Sequence, residues 1–124
     1  MTIAKVLERI DSLVQNTYTA QDKIAWLSRL DAMIKKTVID THEGAEITTF
    51  EGYDDRTDKN TELIVPEPYD DIYLYWLESQ INYYNGEYDR YNTTLLMYQA
   101  ALEAFGDYYR RDHMPKSVGS RFVF

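Results

Sequence analysis

The 124-residue sequence predicts an all-α domain: an N-terminal helical hairpin packed on a long Tyr-rich C-terminal helix or helix pair, with an acidic loop between them. Three observations carry this. The first forty residues repeat apolar side chains at helical spacing. Residues 73–109 hold a repeat close to 3.5 residues. The acids concentrate in the stretch that separates these two regions. The domain reads as a hairpin over 1–42, an acidic loop over 43–67, a long helix or helix pair over 68–112 and a basic tail over 113–124.

Thr2 is placed to cap the first helix. Ile3, Val6, Leu7, Ile10, Leu13 and Val14 then line one face. "QNTYT" (15–19) interrupts it. Thr19 opens a second helix, with Asp22 where a capping-box acid stands. Its buried face is expected to be Ile24, Leu27, Leu30, Ile34 and Val38, flanked by Trp26 and Met33, ending near Thr41 with Gly44 as a stop. Two amphipathic helices joined by so short a linker pack antiparallel.

Between Glu43 and Asp71 stand ten acids and two bases, an excess as large as the net charge of the whole chain, −8. "EITTF" and "ELIVP" are short β-prone pieces around the turn-rich "EGYDDRTDKNT". The expectation is a long loop, or a loose β-hairpin, projecting from the body with Asp54, Asp55, Asp58 and Glu62 exposed. Asp58, Asn60 and Glu62 alternate like the start of an EF-hand loop. The glycine at the sixth position is missing, and Tyr69 stands where the bidentate acid belongs, so a solvated loop is expected rather than a calcium site.

"PEPYDD" opens the next helix, with Pro68 in a first turn and Glu67, Asp70 and Asp71 favouring the positive helix end. Tyr73, Leu77, Ile81, Tyr84, Tyr88, Tyr91, Leu95, Tyr98, Leu102, Phe105 and Tyr109 then keep one phase across "NG" (85–86) and "NTT" (92–94). That favours a continuous or gently kinked rod. The alternative is two helices meeting at a weak point, with Asn92 available as a cap. "DHMP" ends it. A seam at this spacing is a packing seam first, and tyrosine adds a hydroxyl that stays wet at interfaces. Tyr75, Tyr83 and Tyr108 fall off the stripe and face elsewhere. Stacking of bases needs neighbouring cations, and this stretch offers Arg90 alone before Arg110.

The chain has no cysteine, which removes disulfides and thiolate chemistry. No apolar run reaches the roughly 18 residues of a membrane span, and no signal peptide is expected. His42 and His113 are far apart, neither in a metalloprotease pattern, and neighbouring acids such as Asp54/Asp55 form no converging dyad. No catalytic residue, cofactor or metal is expected.

"YTAQDKIAWLSRLDAMI", "VPEPYDDIY" (65–73), "YYNGEYDRYN" (83–92) and "HMP" (113–115) resemble, over nearly the whole chain, small structural proteins of tailed phages and prophages of Gram-positive bacteria. Size and helical pattern are similar to the head–tail connector (neck or adaptor) proteins. The resemblance implies a non-enzymatic virion subunit made in the host cytoplasm. It would assemble with itself into a ring and meet the portal or neighbouring neck proteins. No membrane and no sequence-specific nucleic acid enter, and the acidic loop would line a DNA channel passively. The interface or core seam would include Tyr73, Leu77, Tyr84, Tyr88, Tyr91, Tyr98 and Phe105. Two alternatives stand beside it: an assembly factor or chaperone absent from the mature virion, and a small DNA- or ligand-binding regulator.

Overall fold

The computed structural model describes residues 1–44 and 49–116. Four α-helices form the body: α1 (Ile3–Leu13), α2 (Ala20–Ile34), α3 (Ile72–Tyr84) and α4 (Tyr88–Asp112). α3 packs on α1, α2 and α4, whereas α4 packs on α3 and, more lightly, on the turn that follows α2.

The caps of the first two helices fall where the sequence puts them. The Thr2 hydroxyl accepts from Lys5 N–H and the Thr19 hydroxyl from Asp22 N–H. Ile3, Val6 and Ile10 are buried. Leu13 is not: it is the last helical residue, the chain leaves in extended conformation at Val14, and the leucine is 60% exposed. Lys23, itself buried, places its ammonium 2.5 Å from Asp11 Oδ1 and ties α2 to α1. α2 continues into a wider turn, Lys35–Ile39, where Asp40 N–H donates to Lys35 O across five residues. The extra residue rotates the chain, so Ile39 rather than Val38 completes the buried stripe and Val38 is only half-buried.

The long C-terminal stretch is a helix pair, not a rod. Gly86 has φ +76°. Gly86 N–H donates to Tyr83 O and Glu87 N–H to Asn82 O, the two bonds of a Schellman motif. The helix therefore stops at Asn85, and α4 runs back along α3, with Asn82 facing Thr94 and Trp76 facing Tyr98. Asn92 lies exposed inside α4 and caps nothing. The conserved phase across the turn did not discriminate, because each helix buries its stripe against the other.

The described part of the acidic loop beyond Gly44, residues 49–67, does not project. It is laid along the start of α1 as a strap. Ile3 N–H donates to Thr61 O, Ala4 N–H to Lys59 O, and Leu63 N–H to Met1 O. These loop carbonyls take up amides that a helix N-terminus leaves without partners. Leu63 and Val65 are buried in the core. Thr2 and Glu62 form a single antiparallel bridge, and no β-hairpin stands among the described residues. Most of "EITTF" lies outside them. At Gly52 (φ +89°) a Cβ would sit 2.9 Å from Ser28 Oγ, so the strap approaches α2 where only glycine fits.

α3 begins at Ile72 rather than at Pro68, which follows a cis peptide bond from Glu67 in a preceding turn. Asp70 is buried, 3.5 Å from the Met1 ammonium, instead of serving the helix dipole. Beyond α4, Lys116 N–H donates to Thr41 O and Glu43 N–H to Met114 O, which ties the start of the tail to the end of the N-terminal hairpin. The rest of the expected basic tail, 117–124, lies outside the described residues.

Candidate interaction surface

The aromatic stripe divides into a covered part and an uncovered part. Tyr73, Leu77, Ile81, Tyr98, Phe105 and Tyr109 are buried. They lie where α3 has neighbours on several sides and where α4 passes over it. Tyr84 is 54% exposed and Tyr88 60%, with Tyr91 half-buried. These three were expected in the same seam. They flank the Asn85–Glu87 turn, where both helices run out of partners.

Off-stripe residues join them. Trp26 stacks on Tyr84 (centroids 5.5 Å, planes 6° apart) and meets Tyr18 edge-on. Tyr83, 48% exposed, packs against Tyr84, Tyr88 and Tyr91 within 6.1 Å. The Tyr18 hydroxyl donates to Asn85 Oδ1 at 2.8 Å and pins the hairpin tip to the α1–α2 linker. Trp76 holds the other side by donating from Nε1 to Trp26 O. The result is a continuous aromatic knob on a short, hydrogen-bonded turn. Its backbone is fixed and its rings face solvent, which limits the entropy a partner must remove. Leu96 and Met97 on the outer side of α4 are also exposed.

The opposite end of the molecule carries a second aromatic group. Tyr69 stacks on Tyr108 (4.8 Å), and Tyr109 lies between the two histidines. His113 is parallel to it at 3.8 Å and His42 is edge-on at 5.4 Å. Sequence spacing kept these histidines apart; the fold brings both onto one tyrosine. Their Nδ1 atoms lie 2.7 Å from Val38 O and 3.1 Å from Tyr109 O, which fits a packing role. A groove of about 330 Å³ opens beside them, between Ile39, Ile64 and Pro66 on one side and Tyr108, Tyr109 and His113 on the other.

The acids of the strap are divided by role. Asp54 Oδ1 accepts from Arg56 N–H and Asp58 Oδ1 from Asn60 N–H, each closing a tight turn. Asp55 is exposed. Glu62 is exposed and 3.2 Å from the Met1 ammonium. Among the described residues no group of three or more His, Cys, Asp or Glu side chains is gathered to hold a metal ion, and no helix is long and apolar enough to cross a membrane.

One polar centre escaped the sequence reading. Asp31 is fully buried. Its carboxylate accepts from the Tyr53 hydroxyl (2.6 Å), the Tyr73 hydroxyl (2.7 Å) and Ile64 N–H (3.2 Å), while Val65 N–H donates to the Tyr73 oxygen (2.7 Å). One side chain thus clamps the strap at two places to α2 and α3. Burial raises the Asp31 carboxyl above its ordinary value, although the hydrogen bonds from Tyr53, Tyr73 and Ile64 work the other way. Burial and the Asp31 charge both push the Tyr53 and Tyr73 hydroxyls up, and burial takes Tyr98 to about 12. A signal was present: Ile24, Leu27, Asp31 and Ile34 are spaced three, four and three, so the acid stands in the apolar stripe of α2.

No family model, no curated protein and no solved structure matches the chain.

Proposed function

We propose that the chain is a non-enzymatic structural subunit of a tailed-phage particle, acting as a head–tail connector that assembles with itself and meets the portal. The observation that carries this reading is the aromatic knob. Three tyrosines, each about half exposed or more, sit on a turn rigidified by its own hydrogen bonds. Aromatic residues on a fixed scaffold are what protein interfaces use for anchors. The sequence resemblance to connector proteins names the assembly; the knob supplies a surface for it. The strap acids Asp54, Asp55, Asp58 and Glu62 are exposed, and their charge would let DNA slide past without sticking.

The knob is a poor nucleic-acid platform. Glu78, Glu87 and Asp89 lie around Arg90 beside the turn, and a stacking groove for a polyanion needs the opposite balance. The DNA-binding form of the regulator reading is therefore set aside. The assembly-factor reading shares the same knob and differs only in the fate of the protein.

Mass spectrometry of purified particles, with copy number referenced to the portal protein, separates the two. A ring's worth of the chain per particle is the expected result. Abundance in lysates with absence from particles would replace the connector by an assembly factor.

A further inference from the structure

We propose that copies of this chain associate head to tail, with the aromatic knob of one copy seated in the groove beside the C-terminal end of α4 in the next. The inference rests on the assembly reading above and specifies the two surfaces that would carry it.

The two surfaces match in chemistry and differ in shape. The knob is convex and presents Tyr83, Tyr84 and Tyr88. The groove is concave, with aromatic and aliphatic walls, and its roughly 330 Å³ stands at the small end of the ~300–1,000 Å³ of ligand clefts. That size suits inserted side chains better than a long peptide.

A knob cannot reach its own groove. Tyr88 and Tyr109 stand near opposite ends of one 25-residue helix, and at ~1.5 Å per residue that separates them by about 30 Å. Contact between them must join two molecules. Each such contact leaves one free knob and one free groove, so it propagates until a rotation closes it into a ring.

Charge favours this pairing over knob against knob. A symmetric contact would set Glu78, Glu87 and Asp89 of one copy against the same three acids of the other, offset only by Arg90 on each side. The groove end carries a smaller excess. Arg110, Arg111 and Lys116 stand there against Glu43, Glu67, Asp107 and Asp112, an excess of one acid against two at the knob, and Asp107 is already paired with Arg110.

The test is sedimentation equilibrium of the full chain up to its solubility limit, with three proteins. The knob variant is Tyr83→Ser with Tyr88→Ser, both exposed in the monomer. The groove variant is Pro66→Glu, an exposed wall residue whose carbonyl bond from Tyr69 N–H survives the change. Circular dichroism confirms that each variant folds. The wild type is expected to grow beyond a dimer. Each variant alone should associate at least tenfold more weakly. An equimolar mixture of the two should form a dimer and stop, because only one intact knob and one intact groove meet. A groove variant that assembles like the wild type would overturn the proposal in favour of a knob-to-knob contact. A knob variant that does so, a mixture that stays monomeric, or a wild type that stays monomeric would overturn it as well. None of these results bears on whether the chain is found in particles, so the connector reading stands or falls separately.

Discussion

Tyr73 and Tyr84 stand on one helix, in one phase of one repeat, and meet opposite fates. Tyr73 is fully buried, with its hydroxyl shared between Asp31 and Val65 N–H; Tyr84 is more than half exposed, one face stacked on Trp26. The difference lies in what surrounds each end of α3. The start of α3 is enclosed by α2 and the strap, and its end is a hairpin turn that Tyr18 and Trp26 touch on one side. Spacing encodes which face of a helix a residue occupies. Whether that face is covered depends on where the neighbouring elements stop.

The largest expected effect falls on the covered end. Tyr73→Ala should cost about 3–5 kcal/mol in chemical denaturation, since it opens a cavity and strands Asp31 Oδ1 and Val65 N–H. Tyr84→Ala combined with Tyr91→Ala should cost only about 1 kcal/mol, with assembly rather than folding impaired, because neither ring is enclosed. Similar losses of stability for the two variants would dissolve the comparison.

Next in size is Tyr73→Phe, which keeps the ring and removes the hydroxyl. A loss of about 1–3 kcal/mol is expected from the unpaired Val65 N–H and the reduced solvation of Asp31. A loss near zero would mean that ring burial alone secures the strap.

The two ends of the molecule should also differ in their response to pH. The folded value of Asp31 is raised above 3.8 by burial. Its contribution to stability is thus fully present below that pH and is lost as pH rises through the raised value. Asp11 runs the other way. Its hydrogen bond to Lys23 lowers it, so its contribution is present above 3.8 and is lost as pH falls through the lowered value. Relative to wild type, Asp31→Asn should show its largest deficit in acid, and Asp11→Asn its largest near neutral pH. Denaturant midpoints measured across pH check both signs, and parallel curves for the two variants would contradict them.

Much of this fold was legible. Thr2 and Thr19 cap α1 and α2, and the stripes Ile3–Ile10 and Ile24–Ile34 are buried. The break at Gly86 was marked by an Asn-Gly pair but was outweighed by a phase that says nothing about continuity. The strap is not legible in the sequence because its anchors are backbone carbonyls at Lys59 and Thr61, which carry no side-chain signature. Asp31 was visible as an acid in an apolar stripe, although its partners Tyr53 and Tyr73 lie far away in sequence. The exposure of Tyr84 and Tyr88 depends on the absence of a neighbour, which no local pattern records.

The smallest effect concerns the strap, and it tests whether its acids are alike. Asp54 and Asp58 each accept a backbone N–H two residues on; Asp55 bonds nothing in its turn. Asp54→Ala and Asp58→Ala should each cost about 0.5–1 kcal/mol by loosening a turn that positions Lys59 O and Thr61 O on α1. Asp55→Ala should change stability by less than about 0.5 kcal/mol. Asparagine at 54 and 58 keeps the accepting oxygen, so the triple Asn variant (Asp54→Asn, Asp55→Asn, Asp58→Asn) should melt close to wild type while removing three charges. On the connector reading proposed above, that separates charge from turn geometry. Any fault in DNA passage with the triple Asn variant would come from charge, and any fault with the alanines that asparagine rescues would come from the turn.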